Sequence, residues 1–316
     1  MKERMKKLLV FLLAMTLVFS MVGCGNSKEQ KEAESTQGEV SQDGQTVYPY
    51  EAVDYKGNTY TIEKEPEKII SVAPSMTELL FELGAGDKLI GRSDYCDYPE
   101  EALELESVGT MQTPDVEKII SLDPDLVIVT DMIDEQVVEK LSGVGISVLT
   151  VSDVEDLTQV YDMMTMVGAV INKNEEATAL VDDMKATVSD VEERVADLDK
   201  PSVYYVVSYG EYGDSIPGGD TFIHGIITAA GGDNIGKDIS GWSITLEEII
   251  EKDPDIIILP TYYDGAFQEA DHYKDLTAVK EGNVYVIDSN MVDRQGYRNA
   301  EAVRTLAEIF HPEAFK

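Results

Sequence analysis

Val116-Glu-Lys-Ile-Ile-Ser-Leu-Asp-Pro-Asp-Leu-Val-Ile-Val-Thr130 returns later in the chain as Leu246-Glu-Glu-Ile-Ile-Glu-Lys-Asp-Pro-Asp-Ile-Ile-Ile-Leu-Pro260, with seven of fifteen residues identical at a constant offset of 130. Each copy reads as a short helix, a stop and a buried strand. Asp-Pro-Asp ends the helix because proline pushes its predecessor out of the α region. The β-branched and leucine run that follows suits a strand covered on both faces. One unit repeated at this interval predicts two similar α/β lobes. A solenoid would repeat every 20 to 50 residues or so.

Working outward, Tyr50–Val53 and Thr59–Ile62 flank Lys56-Gly-Asn58 and predict a hairpin. Ile69–Val72 is the first core strand, and Ser75-Met-Thr-Glu78 reads as a capping box opening a helix that Gly84 closes. A strand at Lys88–Ile90 leads into a loop, Gly91–Pro99, with no apolar period. Thr113-Pro114 supplies a cap and an N1 proline to the first repeated helix. A helix at Asp134–Leu141 and a strand at Ser147–Val151 follow. Strands alternating with helices predict a parallel sheet flanked by helices. Asp156–Ile171 is a further helix, and Asn174–Leu198, free of Gly and Pro, carries Ala177, Val181, Met184, Val188 and Val191 at helical spacing. One long helix between lobes is a stiff joint permitting small movements. Strands at Ser202–Val207, Ile256–Leu259 and Asn283–Ile287, with a last helix near Tyr297–Phe310, repeat the plan.

At the start, Lys2, Arg4, Lys6 and Lys7 precede an apolar run from Leu8 to Phe19, the shape of an export signal and too short for a spanning helix. Met21-Val-Gly-Cys24-Gly resembles a lipobox, which implies cleavage before Cys24 and a lipid on its sulfur. Residues 24–46 hold little to bury and are expected to form a disordered tether. The division is therefore 1–23 signal, 24–46 tether, 47–155 first lobe, 156–200 interlobe helices and 201–316 second lobe. Removing the first 23 residues, with four basic and one acidic side chain, leaves 21 Lys and Arg against 60 Asp and Glu, a net charge of −39. Such a surface offers nothing to nucleic acid, whose phosphates demand clustered cations. Once Cys24 is modified only Cys96 remains, so no intramolecular disulfide forms.

Ile69–Pro99, Val108–Ile128 and Leu246–Leu259 together resemble the substrate-binding lipoproteins of ABC importers for vitamin B12, haem and iron complexes. The match is strongest to members that take vitamin B12, through Asp94-Tyr-Cys-Asp-Tyr-Pro99 and the glutamate 22 residues beyond Tyr95. The resemblance implies two Rossmann-like lobes with mostly parallel sheets, one long rigid interlobe helix and a ligand cleft between the lobes. It places Tyr95, Met111 and Gln112 on the first lobe's wall and Trp242 on the second. Met111 stands where the B12 binders carry tryptophan, and methionine packs adaptably without stacking as well. The resemblance also gives Glu117 and Glu247 the task of docking on arginines of the permease. A carboxylate in a first helical turn also favours its own helix through the macrodipole.

Tyr209, Arg294 and Arg298 are further cleft candidates, the arginines because anionic ferric siderophores call for bidentate cations. Haem would need an axial ligand from Tyr95, Tyr209, Met111 or His224. His224, His272 and His311 are too scattered to form a Zn or Mn site, so no metal site and no permanent cofactor are expected. The transported ligand is read as a corrinoid or an iron complex, with haem or a ferric siderophore as the alternative. A secreted α/β enzyme acting on a macrocycle is the reading of another class, and neither Gly-x-Ser-x-Gly, His-Glu-x-x-His nor a phosphate loop supports it. The expected product is a monomeric lipoprotein, anchored on the extracytoplasmic side of the cell membrane. Replacing Cys24 by serine should move the protein from the membrane fraction to the soluble fraction; retention in the membrane would point to an uncleaved anchor.

Overall fold

The computed structural model describes residues 38–316 apart from Ser152, Asp264 and the side chain of Tyr212. The signal segment, Cys24 and most of the expected tether lie outside the described residues. Two parallel sheets dominate. The first carries β3 (Ile69–Ser71), β4 (Leu89–Arg92), β5 (Glu106–Ser107), β6 (Leu126–Thr130) and β7 (Ser147–Val151) in the order β5-β4-β3-β6-β7. The second carries β8 (Ser202–Tyr205), β9 (Asp233–Asn234), β10 (Ile256–Pro260) and β11 (Val284–Ile287) in the order β11-β10-β8-β9. Read from the other edge, β9-β8-β10-β11 is the arrangement of β4-β3-β6-β7. The repeat seen in sequence is thus a repeat of topology, and the first lobe adds one edge strand. Outside these sheets, β1 (Tyr50–Val53) and β2 (Thr59–Ile62) form the expected antiparallel hairpin.

The helices in chain order are α1 (Pro74–Glu82), α2 (Val116–Leu122), α3 (Glu135–Gly143), α4 (Leu157–Val170), α5 (Asn174–Val195), α6 (Phe222–Ala229), α7 (Leu246–Lys252), α8 (Ala266–Glu269), α9 (Thr277–Glu281), α10 (Asn290–Asp293) and α11 (Asn299–Phe310). Thr245 and Glu248 form the expected capping box on α7. Two other expected starts are displaced. Asp115 caps α2, its Oδ1 accepting from the Lys118 N–H at 3.0 Å, in place of Thr113 and Pro114. Aspartate is a better cap than threonine, and Pro114 is held in a bridge with Gly109. On α1, Pro74 occupies the first turn and Ala73 is the cap, so Ser75 and Glu78 lie inside the helix and no capping box forms.

α5 buries Ala177, Val181, Met184, Val188, Val191 and Val195 along one stripe and, at 1.5 Å per residue, runs for about 33 Å. It packs on α4 from one lobe and on α6 and α11 from the other. α4 and α5 approach closely because residue 168 is glycine: a Cβ there would meet the Ala177 Cβ at 2.3 Å. The core is correspondingly continuous across the joint. One cluster of buried residues includes Ile69 and Ile128 of the first sheet and Val203 and Ile258 of the second. The far side of each sheet has its own separate cluster. A buried apolar joint of this extent resists wide hinge opening.

Residues 38–46, expected to belong to the tether, are bound to this joint. Thr46 is buried; its N–H donates to Asn172 Oδ1 at 2.9 Å and its hydroxyl to the Ala169 carbonyl at 2.7 Å. Asn174 Nδ2 donates to the Gly44 carbonyl at 3.0 Å. The contacts are polar and distant in sequence, so a low apolar content did not reveal them.

Across the seam, Glu78 of α1 receives two arginines from the end of the chain. Arg298 Nε donates to Oε2 at 2.8 Å, and Arg294 Nη1 donates to Oε1 at 2.6 Å. Glu78 is 3% exposed and Arg298 7%. Arg298 also pairs with Asp288 at 3.1 Å and lies over the Tyr98 ring, 4.4 Å from its centre. Removing one member of a buried network leaves the others uncompensated, at a cost of roughly 3–5 kcal/mol. Glu78→Ala should therefore lower unfolding stability by about that amount in urea titration, with Glu78→Gln losing less because it keeps an acceptor.

Candidate ligand-binding cleft

In an open parallel sheet, ligands bind beyond the carboxyl ends of the strands, where the strand order reverses. Here those points fall between β3 and β6 in the first sheet and between β8 and β10 in the second. The cleft-lining residues come from these ends. A cavity of 260 Å³ is bounded by Pro74 and Ser75 after β3, Thr130 and Met132 at the end of β6, Val151 of β7, and Tyr95 and Met111 from loops of the same lobe. Asp153 and three residues after β11, Asp293, Arg294 and Gln295, close it. A second cavity of 540 Å³ is bounded by Val207 after β8, Asp220, Thr221, Phe222, Ile223, Gly241 and Trp242. Asp153, Asp293 and Gln295 belong to both cavities. They form the floor where the two cavities meet; the 540 Å³ cavity lies within the size range of small-molecule sites, about 300–1,000 Å³, and the 260 Å³ cavity just below it.

Gln295 fixes that floor. Its Nε2 donates to the Val154 carbonyl at 2.9 Å and its Oε1 accepts from the Val154 N–H at 2.8 Å. Asp153 and Asp293 are open to the cleft yet crowded by protein, and that crowding raises both carboxyls above the usual range. Asp131 adds to the rise at Asp153. At Asp293, Asp288 adds to it, while hydrogen bonds from Ser289 and Tyr205 and the charge of Arg294 partly offset it. Thr130 Oγ1 is buried on the wall with no hydrogen-bond partner among the described residues.

The expected cleft residues divide. Tyr95 and Met111 lie on the first lobe's wall and Trp242 on the second, with Tyr95 48% and Trp242 46% exposed. Gln112 is exposed but lines neither cavity; its carbonyl accepts from the Asp134 N–H at 3.2 Å. Tyr209 is packed edge-on against Tyr263, Phe267 and Tyr273, with ring centres 4.9, 5.0 and 5.4 Å away, because aromatic edges favour aromatic faces. It is therefore core of the second lobe and not cleft wall. Arg294 borders the cleft, but its donors reach Glu78, Asp97 at 2.7 Å and the Tyr95 carbonyl at 3.3 Å. Arg298 lies in the buried ion pair and borders neither cavity. His224 lines a separate 380 Å³ hollow beside Asp156 and Glu192. Cys96 is buried against Thr77 and Ser93 hydroxyls at 3.1 and 3.2 Å.

Sequence reasoning missed Asp153, Asp293, Gln295 and Thr130. Asp153 and Asp293 each follow the last strand of their own sheet, but at different distances from its end, so the repeat did not align them. Glu117 and Glu247 both occupy the second position of a short helix and both are exposed. Each helix enters from a loop that carries a cleft residue, Met111 in one lobe and Trp242 in the other.

Two parallel-sheet lobes on a stiff helical joint, with a cleft at the carboxyl ends of both sheets, define a solute-capture protein. The chain belongs to the periplasmic binding protein family, whose model matches residues 69–291. It is a substrate-binding protein of an ABC transporter. An ABC transporter substrate-binding lipoprotein of Bacillus subtilis, YvrC, is 34% identical over 307 residues, covering 94% of each chain. A cobalamin-binding protein of Halobacterium salinarum is 28% identical over 280 residues, 84% of this chain and 74% of that one. Among solved structures, the vitamin B12-binding protein BtuF of Vibrio cholerae aligns with a TM-score of 0.67 at 26% identity, covering 79% of this chain and 98% of that one. The haem-binding protein RhuT of a Roseiflexus species shares the fold, with a TM-score of 0.71 at 22% identity over 78% of this chain and 99% of that one.

A carboxyl whose folded pKa is raised stabilises the fold most below its unfolded value, near 3.9, and loses that contribution as pH climbs through the folded value. Asp293→Asn should therefore raise the melting midpoint at pH 7. The difference should shrink to nothing as the pH is lowered towards 4.

Proposed function

We propose that the protein captures a corrinoid between its lobes and hands it to an ABC permease. The observation that carries this reading is the charge of the cleft. Its floor holds two carboxylates, Asp153 and Asp293, with Asp220 on the second wall. The one guanidinium bordering it among the described residues, Arg294, already has its donors on Glu78, Asp97 and Tyr95. Haem brings two propionates and ferric siderophores are commonly anionic, so both would set like charges together in a poorly hydrated site. A corrinoid presents neutral carboxamides whose N–H groups can donate to those carboxylates in charge-assisted hydrogen bonds.

The walls suit the same guest. Tyr95 and Trp242 offer flat apolar faces with a polar edge, and Met111, on the same wall as Tyr95, adapts to irregular contacts. Thr130 Oγ1 supplies an unpartnered polar atom on the wall. The names of the Halobacterium and Vibrio relatives agree with a cobalamin ligand. The B. subtilis relative is named a lipoprotein, which supports a lipid on Cys24 and a place on the extracytoplasmic face of the membrane. Glu117 and Glu247 are the permease contacts in this reading, one from each lobe.

The test is a spectral titration of the purified lipoprotein with cyanocobalamin, dicyanocobinamide and haemin. Tight corrinoid binding with little Soret change is expected; a strong Soret shift without corrinoid binding would overturn the assignment. The double variant Asp153→Asn, Asp293→Asn should bind haemin about tenfold more tightly, since removing like-charge repulsion is worth a kcal/mol or more. Its corrinoid affinity should fall by only a few fold.

A further inference from the structure

The two repeated helices agree at three of their seven positions. Val116–Leu122 and Leu246–Lys252 share Glu117 with Glu247, Ile119 with Ile249 and Ile120 with Ile250. Ile119 and Ile249 are fully buried and attach each helix to its lobe. The other two identities both face outward. Ile120 is 39% and Ile250 46% exposed, and each follows its glutamate by three residues, so the two side chains adjoin on one helix face. The remaining outward positions have diverged, Lys118 against Glu248 and Ser121 against Glu251.

A lone exposed isoleucine is ordinary. A β-branched apolar residue kept exposed in both copies, beside a carboxylate kept in both copies, is harder to assign to the fold. Neither side chain is needed to anchor its helix, and isoleucine is no better a helix former than the polar residues beside it. We propose that Glu117 with Ile120, and Glu247 with Ile250, are two equivalent composite docking spots for the membrane-spanning subunits of the importer. In each, a cation on the partner meets the carboxylate and an apolar socket beside it takes the isoleucine. Two like spots on one chain fit a partner that presents the same socket twice, as a pair of related subunits does. The apolar half supplies attraction that salt does not screen, while the acidic half steers the approach.

This inference rests on the docking role given to Glu117 and Glu247 above, and the test separates the two. Affinity of the purified lipoprotein for the importer's membrane complex in nanodiscs is measured at about 50 mM and 500 mM NaCl, a range over which exposed charge pairs become screened. The pair Ile120→Ser, Ile250→Ser should bind about tenfold more weakly at both salt concentrations, with its melting midpoint unchanged. The pair Glu117→Gln, Glu247→Gln should lose affinity chiefly at low salt. Should the serine pair prove unstable, Ile120→Thr with Ile250→Thr keeps the β-branch and reads the same contact. If the serine pair docks like the parent while the glutamine pair does not, the apolar contact is wrong and the acidic docking stands. If both pairs dock like the parent, the docking reading falls and the composite spots fall with it.

Discussion

Glu78 is the point at which the two halves of the chain become one binding site. It sits on the helix that follows the first core strand, and its two oxygens are held by Arg298 and Arg294 from the last segment of the sequence. Burying a carboxylate is costly unless its charge and lone pairs are met. The loop and helix carrying these arginines are thereby tied to the first lobe. The same segment contributes Asp293 and Gln295 to the cleft floor, so the floor's geometry depends on a contact lying just behind it. Arg294 couples the two most directly, touching Glu78 on one side and the carbonyl of Tyr95 on the other.

The stiff joint and the ion pair act together. A long helix with an unbroken apolar stripe covers both lobes, and one core cluster runs from sheet to sheet. Neither half can swing far without exposing that core or parting buried charges. Selectivity in such a site comes from what its walls and floor already present, and much less from large closure. For this reason the charge of a few floor residues bears heavily on which guest is accepted.

The architecture was legible in the sequence because it is written in patterns of the right length. Asp-Pro-Asp stops, β-branched strands and the period of the long helix each rest on local rules, and the repeat at 130 residues joined them into two lobes. The errors have a common origin. Glu78 resembles a capping residue in its local spacing, and only contact with residues some 220 positions away shows it to be half of a salt bridge. Arg298 looked available for a ligand for the same reason. Tyr209 lies in a loop-like stretch, yet three aromatic neighbours draw it into the core. Thr46 is anchored by side-chain amides that no hydropathy pattern signals. The cleft floor escaped notice because Asp153 and Asp293 become neighbours only through the fold.

The two sheets share a plan but are not copies, since one has five strands and the other four. The walls they support differ accordingly, thioether and phenol on one side, indole and carboxylate on the other. A symmetric pair of walls would accept a flat molecule either way up. An unequal pair presents different chemistry to the two sides of whatever lies between them, so a guest whose faces differ gains more contact in one orientation than in the other.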